Sequence, residues 1–338
     1  MSFNRFKILQ RDFKDKGEYP IIDQSVDFIA GYTDNSEKIY RGELPVVVFG
    51  DHTRVFKYID FPFALGADGV RILIPKKSKL IPKYFYYSLK GLIIESHGYS
   101  RHYKFLKRKE IAIPPLETQS KIATILEKAE RLKQWRKEAD KLTEDYLDSF
   151  FQEMFGNPYM NDKNFKTKNF LDVFDVTTGK LDSNAAERNG QYPFFTCAQE
   201  AFKTNTYSFD CEALLLSGNN ATGIFSVKYY NGKFDAYQRT YVLTLKNDDN
   251  SYKYLQFLLE KKLDELQFRS IGTNTKYLTL RILKTIDLMI PPIGLQNNFS
   301  RIVEKVEKLK TSQKESEQKI AELNSALMQK AFRGELTC

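Results

Sequence analysis

The sequence predicts an α+β chain: two mixed α/β modules joined by two long helices, which form an antiparallel coiled-coil pair with pseudo-twofold symmetry. Three observations carry this prediction. Ile113-Pro114-Pro115 recurs 177 residues later as Ile290-Pro291-Pro292. Both copies run on into about forty residues with apolar side chains every three or four positions, the period of a helix buried along one face. Between the copies lie short apolar runs bounded by turn residues, as strands are.

The helices come first because the repeat fixes them. Without a gap, residues 113–155 match 290–332 at 14 of 43 positions, pairing Gln119 with Gln296, Leu132 with Leu309 and Phe155 with Phe332. Upstream, Gly98 and Tyr103 are paired with Gly272 and Tyr277, and Tyr19-Pro20-Ile21-Ile22 resembles Tyr192-Pro193-Phe194-Phe195. From Glu117 to Phe155 the expected stripe is Ile122, Ile125, Leu126, Ala129, Leu132, Trp135, Ala139, Leu142, Tyr146, Phe150 and Met154. The second stripe is Phe299, Ile302, Val303, Val306, Leu309, Ser316, Ile320, Leu323 and Leu327, ending before Gly334. The prolines mark the starts, and Gly156-Asn157-Pro158 stops the first helix. Each helix is expected to span ~55–60 Å at ~1.5 Å per residue.

Mid-stripe, Arg136 and Gln313 are equivalent under the offset, with Ala139 and Ser316 at the next inward positions. In an antiparallel pair these polar centres would meet and set the register. The alternative is that each stripe packs on its own module. The expected division is a first mixed module at 1–112, a long helix at 113–157, a second mixed module at 158–289 and a second long helix at 290–338.

Strands are expected at Leu44–Phe49, Val70–Ile74, Ala213–Leu216 and Tyr241–Leu245, with turns at Gly218-Asn219-Asn220 and a hairpin at Asn231-Gly232. Short helices are expected at Lys83–Ile94 and Tyr252–Leu266. The glycines do not make GxGxxG, which argues against a doubly wound nucleotide fold.

Composition narrows the function classes. A chain of 338 residues, 42% hydrophobic and 28% charged, is long enough for two domains. Its mean hydropathy of −0.48 and the lack of an ~18-residue apolar run argue against a membrane span. The start, Met1 to Lys7, lacks the pattern of a signal peptide, so a cytoplasmic location is expected. Cys197, Cys211 and Cys338 form no CxxC and are expected as free thiols. No GxxxxGK[ST] or HExxH occurs, and His52, His97 and His102 lack copies in the second module, so neither a catalytic set nor a metal site is expected.

A net charge of +9 fits a polyanionic partner. The first module offers Lys76, Lys77 and Lys79, then Arg101, His102 and Lys104 within the run 101–109. The second offers Lys180, Asn219, Asn220, Thr222, Gln238, Arg239, Asn274, Thr275, Lys276 and Tyr277. Lys and Arg neutralise phosphates, whereas Asn, Gln and Arg also read base edges through paired hydrogen bonds. A nucleic acid is therefore the expected partner.

The order of several motifs resembles the specificity subunits of Type I restriction-modification systems. Ile113-Pro114-Pro115-Leu116-Glu117-Thr118-Gln119 with its helix is similar to that family's central region, and Phe155-Gly156-Asn157-Pro158 to its exit. Thr178-Gly179-Lys180, Tyr192-Pro193-Phe194, Tyr207-Ser208-Phe209-Asp210, Gly232-Lys233-Phe234 and Gln238-Arg239 follow the order of a target recognition domain. Ala331-Phe332-Arg333-Gly334-Glu335-Leu336 is similar to the family's ending. The resemblance implies two target recognition domains reading a split site on double-stranded DNA, the implied partner, with the helices as a ruler between them. It implies a non-catalytic chain that binds no cofactor, and two methyltransferase partner subunits that carry S-adenosylmethionine. Two restriction subunits, using ATP and Mg²⁺, complete the implied complex. The first module departs from the pattern: it lacks the leading strand and Thr-Gly-Lys, and has Gly50-Asp51-His52-Thr53 where the second has Gly218-Asn219-Asn220-Ala221. The remaining alternative is a coiled-coil interaction scaffold that does not read DNA sequence.

Overall fold

A computed structural model of the chain describes residues 7–66, 69–96, 98 and 100–336, so His97, Cys338 and the first six residues lie outside the described residues. The chain divides into two compact units: unit one is Met1–Glu138 with Lys314–Cys338, and unit two is Ala139–Gln313. Each unit therefore takes part of both long helices.

Unit one begins with seven strands, β1 (Lys7–Ile8), β2 (Tyr19–Ile22), β3 (Gly31–Thr33), β4 (Val46–Gly50), β5 (Phe56–Ile59), β6 (Ala64–Gly66) and β7 (Val70–Leu73). They form two sheets, ordered β1-β6-β2-β3 and β5-β4-β7. The apolar run of β4 is buried on both faces: Val46 and Val48 join one cluster, Val47 and Phe49 another. That is why it reads as continuous hydrophobicity rather than alternation. Two helices follow, α1 (Pro82–Lys90) and α2 (Tyr103–Leu106), and then the long α3 (Leu116–Phe155).

Unit two continues from α3 with β8 (Lys166–Asn169), α4 (Phe170–Val173), β9 (Phe174–Thr178), β10 (Tyr192–Phe195), β11 (Phe202–Thr204), β12 (Phe209–Ser217) and β13 (Asn219–Asn220). It then forms β14 (Val227–Ala236), β15 (Thr240–Leu245), α5 (Tyr252–Lys261), α6 (Leu263–Arg269), β16 (Lys276–Tyr277), α7 (Leu280–Leu283) and β17 (Asp287–Ile290), before the long α8 (Ile293–Arg333). Its main sheet is ordered β11-β10-β14-β12-β15-β9, beside the pairs β13-β16 and β17-β8. β12 repeats the arrangement of β4, with Leu214 and Leu216 in one cluster and Ala213 and Leu215 in another. In unit one β7 pairs with β4 alone among the described residues, whereas β15, its counterpart, also pairs with β9. The leading strand expected to be missing from the first module is this partner.

The two long helices run antiparallel within each unit. In unit one Ile122, Ala123 and Leu126 of α3 share a core with Ala331 of α8 and with Tyr84 and Tyr87 of α1, and Asn324 Nδ2 donates to Ala129 O at 3.2 Å. In unit two Leu147, Phe151 and Phe155 meet Phe299, Val303 and Val306, and the rings of Phe151 and Phe299 lie 5.5 Å apart. Each helix thus packs on its partner helix and on its own module at once. In unit two Gln313 Nε2 donates across the helix pair to Thr143 Oγ1 at 2.9 Å, while that hydroxyl donates to Ala139 O at 2.8 Å. Gln313 is buried and Ala139 half-buried; Arg136 and Ser316 are half-buried in unit one.

A buried glutamine explains why the repeat keeps Ile-Pro-Pro…Gln. Gln119 Oε1 accepts from Ile81 N at 2.9 Å while its Nε2 donates to Pro114 O and Lys79 O. Gln296 does the same with Ser251 N at 2.9 Å and Pro291 O at 2.8 Å. Both are 0% exposed. Two residues into α1 and α5, Tyr84 OH donates to Ala112 O and Tyr254 OH to Met289 O. The first turn of each long helix is thereby bound to the short helix of its module.

Several sequence expectations are corrected. Asn231 and Gly232 make no hairpin turn; they sit inside β14, opposite Glu212 and Cys211 of β12. Asn219-Asn220 is strand rather than turn, and Tyr252–Leu266 is broken into α5 and α6. The covered stripes are narrower than the periodicity predicts: Leu132, Trp135, Leu142, Tyr146, Leu309 and Leu323 are exposed. Late α3 buries Leu147, Phe151 and Phe155 fully, while the expected Phe150 and Met154 are half-buried against the same core. Where adjacent faces are both apolar, periodicity alone does not say which is covered. Cys197 and Cys211 are free. Among the described residues no helix is long and apolar enough to cross a membrane, and no three His, Cys, Asp or Glu side chains cluster as metal ligands.

Candidate nucleic-acid interface

The second module gathers its candidate residues at one end of the β12–β15 pair. Asn219 pairs with Tyr277 and Asn220 with Lys276. Asn220 Oδ1 also accepts from Thr222 N at 2.8 Å and Thr222 Oγ1 at 2.7 Å, fixing the turn that follows. Gly218 links this ribbon to the next loop, its N–H donating to Arg239 O at 2.8 Å and its carbonyl accepting from Leu278 N. A β-carbon at Gly218 would collide with Arg239 O, so glycine is required by close approach. Ile271 and Tyr277 bond each other's backbone, leaving Gly272 to Lys276 as a tip that carries exposed Asn274 and half-buried Thr275.

The Thr-Gly-Lys element reaches the same place. Gly179 N donates to Thr240 O, and a β-carbon there would strike Ala236 O. Lys180 follows and is exposed. Gln238 is partly committed, since its N–H donates to Leu181 O and its Nε2 to Asp182 Oδ1 at 2.6 Å. Arg239 is exposed, and its carbonyl also accepts from Cys197 Sγ at 3.4 Å. Burial raises the Tyr241 phenol, opposed by the Arg239 guanidinium, so at neutral pH the hydroxyl remains a donor to Leu278 O. Burial lowers the Lys228 ammonium, which is held by Ala198 O and Ser226 Oγ below this loop.

Unit one builds a corresponding end with different chemistry. The residue after β4 is Asp51, 1% exposed, whose N–H donates to Gly69 O at 2.6 Å. Its Oδ1 accepts from Tyr103 N at 2.7 Å, its Oδ2 from Arg71 Nε at 3.4 Å, and its carbonyl from His102 N at 2.8 Å. Two cations lie against Tyr103, the Arg71 guanidinium 5.3 Å and the Lys107 ammonium 5.0 Å from its ring centre. Arg101 and Lys104 flank it, both exposed.

Three expectations change here. His102 is 0% exposed, with its Nδ1 3.0 Å from Asp51 O, so it buttresses the basic segment and presents nothing outward. Lys76, Lys77 and Lys79 belong to the opposite end of β4 and β7: Lys77 pairs with Glu43 at 3.0 Å and donates to Leu44 O, before β4 begins. They therefore do not join the Arg101–Lys104 surface. Tyr103 and Tyr277 are not equivalent either, because Tyr103 opens α2 ten residues before Ile113, as Leu280 opens α7 ten residues before Ile290, whereas Tyr277 precedes α7 on a strand. Sequence reasoning also passed over Asp51 as a hub and Arg71 altogether, since a charged residue inside an apolar strand run reads as its solvent side.

Comparison with known proteins agrees with this organisation. A family model described as "Type I restriction modification DNA specificity domain" matches residues 2–142 and 162–325. The Type I restriction enzyme EcoDI specificity subunit of Escherichia coli is 34% identical over 180 residues, covering 51% of this chain and 39% of the relative. The chain thus spans about two fifths of that relative's length. A type I specificity subunit described from Mycoplasma pneumoniae is 31% identical over 207 residues, covering 59% of this chain and 82% of the relative. In structure, the S subunit of a Type-I restriction-modification system from M. genitalium superposes with a TM-score of 0.68 at 15% identity, over 96% of this chain and 92% of the other. A chain from a study of type I R-M complex assembly and conformational transition gives 0.55 at 17% identity, over 94% and 91%.

Proposed function

Because the chain belongs to the Type I restriction modification DNA specificity domain family, we propose that it is the DNA-reading subunit of a Type I restriction-modification complex, each unit reading one half of a split site. The observation that carries this reading is the end of unit two where Lys180, Asn219, Asn220, Gln238, Arg239 and Lys276 converge: cations for phosphates beside amides and a guanidinium for base edges. The corresponding end of unit one carries Arg101 and Lys104 with different neighbours, as the reading of a different half-site requires.

The chain itself supplies positioning, and the chemistry belongs to its partners. Two methyltransferase subunits holding S-adenosylmethionine would modify adenines, taken out of the stack for reaction. Two restriction subunits using ATP and Mg²⁺ would complete the assembly. Apolar side chains left exposed on α3, Leu132 and Trp135 in unit one and Leu142 and Tyr146 in unit two, favour protein partners on that helix.

The test is reconstitution of the purified chain with the methyltransferase subunits and a library of duplexes. A stable complex that selects a bipartite sequence is the expected result. Failure to assemble, or assembly without sequence preference and without salt dependence, would favour the scaffold alternative instead.

A further inference from the structure

Arg71 is held in a way that a solvent-facing strand arginine does not need. Its guanidinium is fixed along one edge, where Nε donates to Asp51 Oδ2, and across one face, where Tyr103 lies 5.3 Å away. The carboxylate that holds it is 1% exposed, while the arginine side chain is 44% exposed. The carboxylate's other oxygen is occupied by Tyr103 N, so the same group fixes both the guanidinium and the ring it lies against. The Nη1 and Nη2 edge has no hydrogen-bond or ion-pair partner among the described residues. A rigid fork of two N–H donors is complementary to the O6 and N7 acceptors of guanine in the major groove. A phosphate would not require this orientation, and Lys107, whose ammonium lies 5.0 Å from the centre of the same Tyr103 ring, offers a flexible cation for one.

The second unit lacks this device. Asp51 N and O bond Gly69 O and His102 N as Gly218 N and O bond Arg239 O and Leu278 N, so the structural counterpart of Gly218 is Asp51 and not Gly50, and that of Leu216 is Phe49. Opposite Phe49 lies Arg71, and opposite Leu216 lies Tyr241, whose hydroxyl is bound to Leu278 O. The guanidinium is therefore a property of one unit, as a determinant of one half-site must be.

We infer that Arg71 reads a guanine in the half-site bound by unit one, and that Asp51 is the positioning residue that presents it. The inference rests on the DNA-reading function proposed above and names a determinant within it. Arg71→Lys keeps the charge and removes the fork. Asp51→Asn keeps an acceptor for Tyr103 N, yet its amide nitrogen cannot accept from Arg71 Nε.

The experiment is selection of randomised duplexes by the complex of full-length chain and methyltransferase subunits, with sequencing of the bound fraction. For Arg71→Lys the preference for guanine at one position of one half-site should fall about 5- to 150-fold, with the other half-site, the non-specific affinity and the melting temperature unchanged. Asp51→Asn should relax the same position, a result that a purely structural carboxylate would not give. Wild-type discrimination at every position by Arg71→Lys overturns the inference. So does a sequence-independent loss in Arg71→Ala with a log–log salt slope shallower by about 1, the signature of a phosphate contact. If the wild-type complex itself selects no sequence, the DNA-reading function fails rather than the role of Arg71.

Discussion

Lys276 and Arg239 reach the same end of unit two by different routes, and they should differ in solution. Lys276 is a half-buried ammonium on the β13–β16 ribbon, a point charge on a flexible stem. Arg239 is exposed on a loop whose backbone is fixed by Gly218 N and Cys197 Sγ, so its fork starts from a held position. Lys276→Ala should weaken binding to all duplexes and make the log–log salt slope shallower by about 1. Arg239→Ala should instead cost about 1–3 kcal/mol at one base position. Titrations of specific and scrambled duplexes at several salt concentrations separate the two, and unchanged binding by both variants would remove them from the interface.

Among the elements, the long helices were readable because their signal is redundant: proline starts, a glycine stop and a sustained helical period agree with an internal copy. The observed bounds of α3 and α8, Leu116–Phe155 and Ile293–Arg333, follow that signal closely. The strands β4, β7, β12 and β15 were legible for a related reason, each being a short apolar run with turn residues at its ends. The pairing of β13 with β16 was not, because two polar residues meeting two others across more than fifty positions leave no pattern in either segment. Asn231-Gly232 misled in the opposite way, its local turn preference being overridden by the ladder between β12 and β14. Asp51 was hidden because its importance lies entirely in groups distant in sequence, Arg71 and Tyr103. The glutamine clamp was visible only as a repeated letter, and its energetic role can now be stated. Replacing Gln296 with Met leaves Ser251 N–H and Pro291 C=O buried without their partner, at about 1–3 kcal/mol for each group unpaired. Urea unfolding should show this loss, and Gln119→Met a similar one through Ile81 N and Pro114 O. A loss below about 0.5 kcal/mol would mean that other contacts seat α5 on α8.

For the whole molecule, each of the two compact units carries its own group of proposed contact residues and its own part of the long helices. The candidate contact cations are therefore divided between two sets, Arg71, Arg101, Lys104 and Lys107 in one unit and Lys180, Arg239 and Lys276 in the other. If each set meets a separate half-site, substitutions in different units share no partner, and their free-energy costs should add to within about 0.3–0.5 kcal/mol. Lys104→Ala and Arg239→Ala make the test, because the first removes an exposed cation of unit one and the second an exposed guanidinium of unit two. The double variant of the assembled complex should lose the sum of the two single losses, with relaxed discrimination confined to the half-site where Arg239→Ala alone relaxed it. A double loss well short of the sum would mean that binding by one unit depends on the other having already engaged, so that the split site is read as one cooperative event and not as two independent ones.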